Sequence, residues 1–347
     1  MNNFKLLVFV LFLALLIAFV SFFKSDLFVL FEEGQGNFTT QIEEANTPDG
    51  FPKKLRNTTG STFSLNTPPQ RILSATLSTD HILSQLINPT RLVAVSQYVD
   101  YPSLSNITGF YEKSISRTKG EIESMLALEP DLVFVASYSN AETVRYLLRS
   151  GIAVVRLSEF NSFADIFNNM RIIASVTDSK EQAEAIISNI ETQIKTIQKQ
   201  LKNKTKPRVL YYNLNGYSIG GNSLMDEAIT LSGGINVARG VLPDGEHKIS
   251  EELAISLQPD VIVMNKWVFN QASVQACPEV ILKNKAAWKN VPAVKNNRVY
   301  AVKGTWLRSV SQYRIQGVIA IAKLLHPEIK VTNLPLLLLL NEKSYVQ

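Results

Sequence analysis

Two stretches of this chain repeat one another at a fixed distance. Glu123-Ser-Met-Leu-Ala-Leu-Glu-Pro130-Asp131-Leu-Val-Phe-Val is followed, at an offset of 129, by Glu252-Leu-Ala-Ile-Ser-Leu-Gln-Pro259-Asp260-Val-Ile-Val-Met. Each copy reads as a short helix, a Pro-Asp turn and a buried strand. Between them lies a helical pattern in which Ala183, Ile186, Ile187, Ile190, Ile194, Ile197 and Leu201 recur at three- and four-residue steps, with no Gly or Pro before Pro207. One such repeat is a common α/β connection. Two in register on either side of a long helix imply two similar lobes, with Ser179 to Asn203 expected as one continuous linking helix.

The rest of the chain agrees with that plan. Strands are expected at Arg71–Thr76, Arg91–Val95, Leu132–Ala136 and Ala153–Leu157, and after the long helix at Val209–Asn213, Val261–Met264 and Val299–Val302. Helical patterns separate them, including Ala141–Arg149, Leu224–Ser232 and Gln312–Leu325. Strands alternating with helices give mainly parallel sheets covered on both faces, so the expected class is α/β, two Rossmann-like lobes joined by a single long helix. A chain of 347 residues, 46% apolar and 19% charged, is long enough for two such cores.

The N-terminus carries different information. Leu6 to Phe23 is an 18-residue apolar run broken only by Ser21, flanked by Lys5 and Lys24. As a helix it would span roughly 27 Å, close to the apolar thickness of a bilayer. Its length and the missing small-x-small cleavage site favour an uncleaved anchor in the inner membrane over a cleaved signal peptide. A tract rich in Gly, Pro, Thr and Asn then reads as a tether. The expected division is 1–30 membrane segment, 31–70 flexible tether, 71–177 N-terminal lobe, 178–206 linking helix, 207–330 C-terminal lobe and 331–347 tail.

Several chemistries lack their residues. The single Cys277 excludes an internal disulfide and a cysteine-rich metal site, and His81, His247 and His326 form no ligand-spaced pair. His81, on an apolar helical face, reads as a satisfied core residue. Gly216, Gly220 and Gly221 fit neither the dinucleotide fingerprint nor the Walker pattern, and there is no Gly-x-Ser-x-Gly elbow. No catalytic residue, cofactor or resident metal is implied. The net charge of +5 is scattered, its densest cluster being Lys202, Lys204, Lys206 and Arg208, which argues against nucleic acid.

In this order and spacing, Arg71-Ile-Leu-Ser, Arg91-Leu-Val-Ala-Val-Ser-Gln-Tyr-Val-Asp100-Tyr101-Pro102, the two Glu…Pro-Asp repeats, Ser232-Gly233-Gly234-Ile-Asn236 and His326-Pro327-Glu328 resemble the class III periplasmic binding proteins of ABC importers, which take up vitamin B12, iron-siderophores and haem. The resemblance implies a periplasmic solute-binding protein that is not an enzyme, with its ligand between two lobes and little hinge closure. It places Glu123 and Glu252 where the family docks on arginines of the permease. It draws ligand contacts from Tyr98, Tyr101, Tyr138, Tyr217, Trp267, Trp306 and Arg308, an aromatic set suited to a metal chelate or corrinoid. Thr305 and Pro243 depart from the vitamin B12 binders, no tyrosine stands in Arg117-Thr-Lys-Gly where a haem ligand is expected, and Arg117, Arg239 and Arg308 are candidate cations for an anionic siderophore. A two-lobed enzyme such as a glycosyltransferase, or a tethered sensor built on the same fold, is the alternative.

Overall fold

The computed structural model of the chain describes residues 40–43, 50–57, 62–266 and 278–331. The apolar run 6–23, Trp267 and Cys277 lie outside them. The strands β1 (Thr40–Glu43), β2 (Lys53–Asn57) and β3 (Thr62–Leu65) make a small antiparallel sheet within the stretch read as a tether. Its physical basis is apolar anchoring: Leu65 is buried in the main core, and Phe51 and Phe63 pack against it.

The N-terminal lobe follows. Its strands β4 (Ile72–Ser74), β5 (Leu92–Ser96), β6 (Ser116–Thr118), β7 (Leu132–Ala136) and β8 (Ala153–Leu157) form one parallel sheet in the order β6-β5-β4-β7-β8. All five residues of β7 are buried, as a strand covered on both faces requires. The C-terminal lobe contains β9 (Arg208–Tyr211), β10 (Tyr217–Ile219), β11 (Ile235–Asn236), β12 (Glu246–Lys248), β13 (Val261–Lys266) and β14 (Val299–Lys303). Its parallel sheet has the order β11-β9-β13-β14, while β10 and β12 pair as a separate two-stranded antiparallel sheet.

Helix 180–201 joins the lobes without interruption over 22 residues. Its apolar stripe is buried at Ala183, Ile186, Ile187, Ile190, Ile197 and Leu201, each aliphatic worth roughly 1.5–3 kcal/mol of burial. That stripe touches helices 77–86 and 163–177 of the first lobe and helices 224–231 and 314–325 of the second, so a single core runs through both. Helix 163–177, not anticipated from the periodicity, starts at a reciprocal Ser162–Asp165 capping box and ends at Asp178 in the left-handed region, φ 59°. That residue turns the chain into helix 180–201.

The sequence repeat is a structural repeat. Residues 123–130 and 252–259 have the same pattern of burial position by position. Glu129 and Gln258 both take positive φ, 45° and 44°. After each turn, an aspartate reaches back to the strand that opens its lobe. Asp131 accepts from the backbone N–H of Gln70 and Arg71 at 2.6 and 3.0 Å, and the Arg71 guanidinium donates to the carbonyls of Leu128 and Glu129. Asp260 accepts from the backbone N–H of Arg208 at 2.9 Å, and the Arg208 guanidinium donates to the Leu257 carbonyl. The clamp ties the neighbouring central strands of each sheet at their entry. Replacing Asp131 or Asp260 with Ala should therefore lower unfolding free energy by about 1–2 kcal/mol each, the usual cost of losing a charge-assisted hydrogen bond. Urea denaturation of the two single variants and the double variant measures it, with near-additive losses expected because the clamps share no partner.

Candidate ligand-binding cleft

In an open parallel sheet, the side chains available to a ligand gather beyond the carboxyl ends of the strands, where the strand order reverses. In the first lobe the reversal lies between β4 and β7. The segments after those strands are Ala75-Thr76-Leu77-Ser78 and Ser139-Asn140, and both reach a helix start. Thr76 caps helix 77–86 by accepting from the Thr79 N–H, and Asn140 caps helix 141–149 by accepting from Glu142 and Thr143 N–H. Across from them the second lobe contributes the segment after β14, from Gly304 and Thr305 to Arg308, Ser309 and Val310. A cleft of about 600 Å³ separates the two sets.

Three of the expected ligand contacts meet there: Tyr98, Tyr138 and Arg308 all line the cleft. Tyr98 and Tyr138 are 46% and 64% exposed, large aromatic faces open to whatever enters. The Tyr138 hydroxyl lies 3.4 Å from Ser78 Oγ, and its ring packs 5.8 Å from that of Phe160. Tyr101 is outside the lining, with its ring 6.1 Å from that of Tyr98. Tyr217 is elsewhere, on the β10–β12 sheet with Lys248 Nζ 5.9 Å from its ring centroid. Trp306 is turned away from the cleft. It lines a separate depression with Ile319, Ala320 and Leu324, under Lys303 Nζ at 5.5 Å. The short helix 304–307 sits close on helix 314–325 because residue 317 is Gly; a Cβ there would come within 3.0 Å of the Trp306 carbonyl oxygen. Trp267 follows β13 but lies outside the described residues.

The cation candidates divide. Arg117 is held by Asp100 through Nε and Nη2 at 2.7 and 3.1 Å, and Arg239 by Asp226 at 2.9 and 2.6 Å. Both are engaged in ion pairs within the fold. Arg308 lines the cleft and pairs with Glu246 at 3.4 Å.

The floor of the cleft is a polar seam between lobes that residue patterns did not disclose. His81 is 3% exposed; its Nε2 accepts from the Asn106 N–H at 3.2 Å, so Nδ1 carries the proton and donates to Ser311 Oγ at 3.2 Å. Gln312 donates to the His81 carbonyl, Asn106 Nδ2 to the Thr305 carbonyl at 2.8 Å, and Gln85 Nε2 to the Tyr313 hydroxyl at 3.1 Å. Thr305 Oγ1, buried beside the cleft, has no partner among the described residues. Thr305 comes just after β14, but His81 and Gln85 lie inside helix 77–86 and Asn106 in a loop, where no local pattern marks them as part of a cleft.

Among the described residues no group of three or more His, Cys, Asp or Glu is placed to hold a metal ion, and no helix is long and apolar enough to cross a membrane. Residues 72–305 match the periplasmic binding protein family, and the chain belongs to it. A cobalamin-binding protein from Halobacterium salinarum is 26% identical over 268 residues, covering 75% of this chain and 72% of its own length. A vitamin B12-binding protein from Vibrio campbellii is 24% identical over 261 residues, covering 73% and 88%. A periplasmic binding protein from Veillonella parvula superposes with a TM-score of 0.67 at 16% identity, covering 85% of this chain and all of that one, which shows the common two-lobed α/β fold. The chain is accordingly an extracytoplasmic solute-binding protein of the ABC-importer type, from a non-enzymatic family, and the glycosyltransferase and sensor alternatives find no support.

Burial holds the His81 imidazole neutral, its pKa pushed down to about 3. Between that value and 6.5 the unfolded chain binds a proton that the folded seam refuses, so this residue's contribution to stability is lost as pH falls through the window. The buried Asp80 carboxyl, raised by desolvation, acts with the opposite sign. The His81 contribution is therefore read by difference: from pH 6.5 to 4.5 the protein should lose about 2–3 kcal/mol more than its His81→Gln variant, at about 1.4 kcal/mol per pH unit. Denaturant titrations at the two pH values measure this, and equal slopes would show that His81 titrates in the folded state.

Proposed function

We propose that the cleft binds a cobalamin-type corrinoid or a related metal chelate and that the protein delivers it to an ABC importer. The observation that carries this reading is the cleft between the lobes, faced by exposed Tyr98 and Tyr138 on one side and by Thr305 and Arg308 on the other. Flat aromatic walls bury large ligand area at little conformational cost, and a few polar groups at the floor fix orientation. The named relatives from Halobacterium salinarum and Vibrio campbellii support the corrinoid class first; ferric hydroxamates and haem are the other members of the set. Tyr101, Tyr217, Trp267 and Trp306 contribute only if they approach a bound ligand from outside the lining.

Delivery falls to Glu123 and Glu252. Both are exposed in the first turn of matched helices, at equivalent positions of the repeat, and neither has an ion-pair partner among the described residues. Their neighbour Glu251 is different: it accepts from Lys285 and from Trp288 Nε1 and is structural. Two unpaired carboxylates, one per lobe, are suited to fixing orientation on a two-fold permease through arginines. In this reading 71–177 and 207–330 act as lobes about the 178–206 link, and the apolar run 6–23 holds them at the outer face of the inner membrane.

Calorimetric titration with cyanocobalamin, ferrioxamine and haemin tests the ligand class. Binding of cyanocobalamin, weakened about tenfold or more by Tyr98→Ala and Tyr138→Ala, is expected, since losing an aromatic contact costs on the order of 1–2 kcal/mol. Binding of none of the three, or indifference to both variants, would overturn it. Glu123→Ala and Glu252→Ala should leave that affinity unchanged yet cut uptake by tenfold or more in the double variant, because an unpaired buried arginine costs about 2 kcal/mol or more at an interface. Loss of ligand binding in either single variant would assign the carboxylates to structure instead. Cell fractionation with and without residues 1–30 locates the anchor.

A further inference from the structure

Beyond Val331, the last described residue, the sequence carries Leu334-Pro335 and then five consecutive leucines, Leu336 to Leu340. Such a run left in water is costly, and a soluble protein normally gives it something to pack against. It cannot cross a bilayer as a helix: the apolar stretch 334–340 stops at Asn341-Glu342-Lys343, against the roughly 20 residues a span requires. The leucines therefore call for an apolar seat on a protein surface.

The last helix offers one. The depression at Trp306 has a volume of about 330 Å³ and is walled by Ile319, Ala320 and Leu324. An apolar cavity of roughly 150 Å³ already accepts a benzene ring, so more than one leucine side chain fits. Trp306, Ala320 and Leu324 pack on the main core yet stay only partly buried, which leaves apolar surface in the depression to be covered. Lys303 and Lys323, both exposed, are its only charged lining among the described residues, and the first charge after the leucines is the carboxylate of Glu342.

The chain leaves the described structure close to this seat. Lys323 and Leu324 stand just before the end of helix 314–325, and the connection to Val331 is tight. Ile329 N–H donates to the His326 carbonyl at 3.1 Å, and Gln200 holds Lys330 through its N–H at 2.9 Å and its carbonyl at 3.0 Å. Ile329 and Val331 are buried in the main core, so the exit point is fixed. From there the residues up to Leu340 can reach roughly 30 Å, whereas helix 314–325 is about 18 Å long and about 10 Å across. The run is long enough to fold back along the helix.

We propose that the leucine run 334–340 docks in the depression at Trp306 and acts as an internal strap on the C-terminal lobe. Thr305 and Arg308 line the ligand cleft, and Trp306 between them lines the depression, so the seated leucines brace the segment that forms the cleft wall. The strap does not depend on which ligand the cleft takes.

Disulfide scanning in the full chain tests it, because a bridge forms only where two Cα atoms come within about 7 Å. In a Cys277→Ser background, Ala320→Cys is combined in turn with a cysteine at each position from Leu336 to Leu340 and oxidised with copper phenanthroline. Lys195→Cys, on an exposed face of helix 180–201, replaces Ala320→Cys as the control. At one or more positions an intramolecular bridge should form with Ala320→Cys at least tenfold faster than with the control, at a rate independent of protein concentration. Bridges between chains that increase with concentration would overturn the internal strap and give the depression to a second copy. Equal rates with both partners would also overturn it and leave the leucines to a membrane surface or the importer. A second measurement needs no cysteine. Replacing Leu337 and Leu338 with Ser should shift tryptophan emission to longer wavelength, and the shift should vanish in a Trp306→Phe background; no shift, or one that persists in that background, would count against the seat.

Discussion

The lobes of this protein are held in register by a buried polar seam centred on His81, and the cleft exists because that seam cannot slide. Hydrophobic contact alone is non-directional, and two lobes joined only by an apolar helix could settle at many angles. The seam removes that freedom. His81 accepts a backbone N–H from its own lobe and donates to Ser311 of the other, while Gln312, Asn106 and Gln85 each bond across the boundary. In a desolvated setting every broken bond would leave an unsatisfied group, so the geometry is enforced by the cost of its alternatives.

Most of the fold was legible because most of it obeys periodicity. Strands β7, β8 and β13, buried on both faces, stand out as apolar runs, and the stripe of helix 180–201 fixes its length to within two residues at either end. Strands β6, β10, β11 and β12 were not legible. They have two or three residues each and no apolar run, and tertiary pairing rather than local preference makes them strands. The small N-terminal sheet was hidden by its Gly-, Pro- and Thr-rich composition.

The site was legible only in part, for a different reason. Aromatic residues after strands are visible in a sequence, but the direction in which each points is not. Tyr98 and Tyr138 face the cleft; Trp306, in an equally suggestive place, is drawn to the last helix by the close approach that Gly317 permits. Arginines pose the same problem. Arg117 and Arg239 found carboxylates within the fold, whereas Arg314, which no motif marks, is buried beneath a small cavity. His81 was readable as a buried residue, yet its partner Ser311 is 230 positions away, beyond any local pattern.

The seam also has a kinetic consequence. A receptor that closes by a wide hinge spends part of each capture event reorganising, and its escape rate is set by reopening. Here a wide hinge would have to break several buried bonds together, so the lobes are poised as a nearly rigid jaw. Entry should then be limited by diffusion and by shedding water from the tyrosine faces, and residence time by the depth of the contacts themselves. A rigid receptor cannot announce its cargo through gross shape. Whatever machine accepts the cargo must distinguish loaded from empty by small differences at the rim, or else supply the force that parts the jaw.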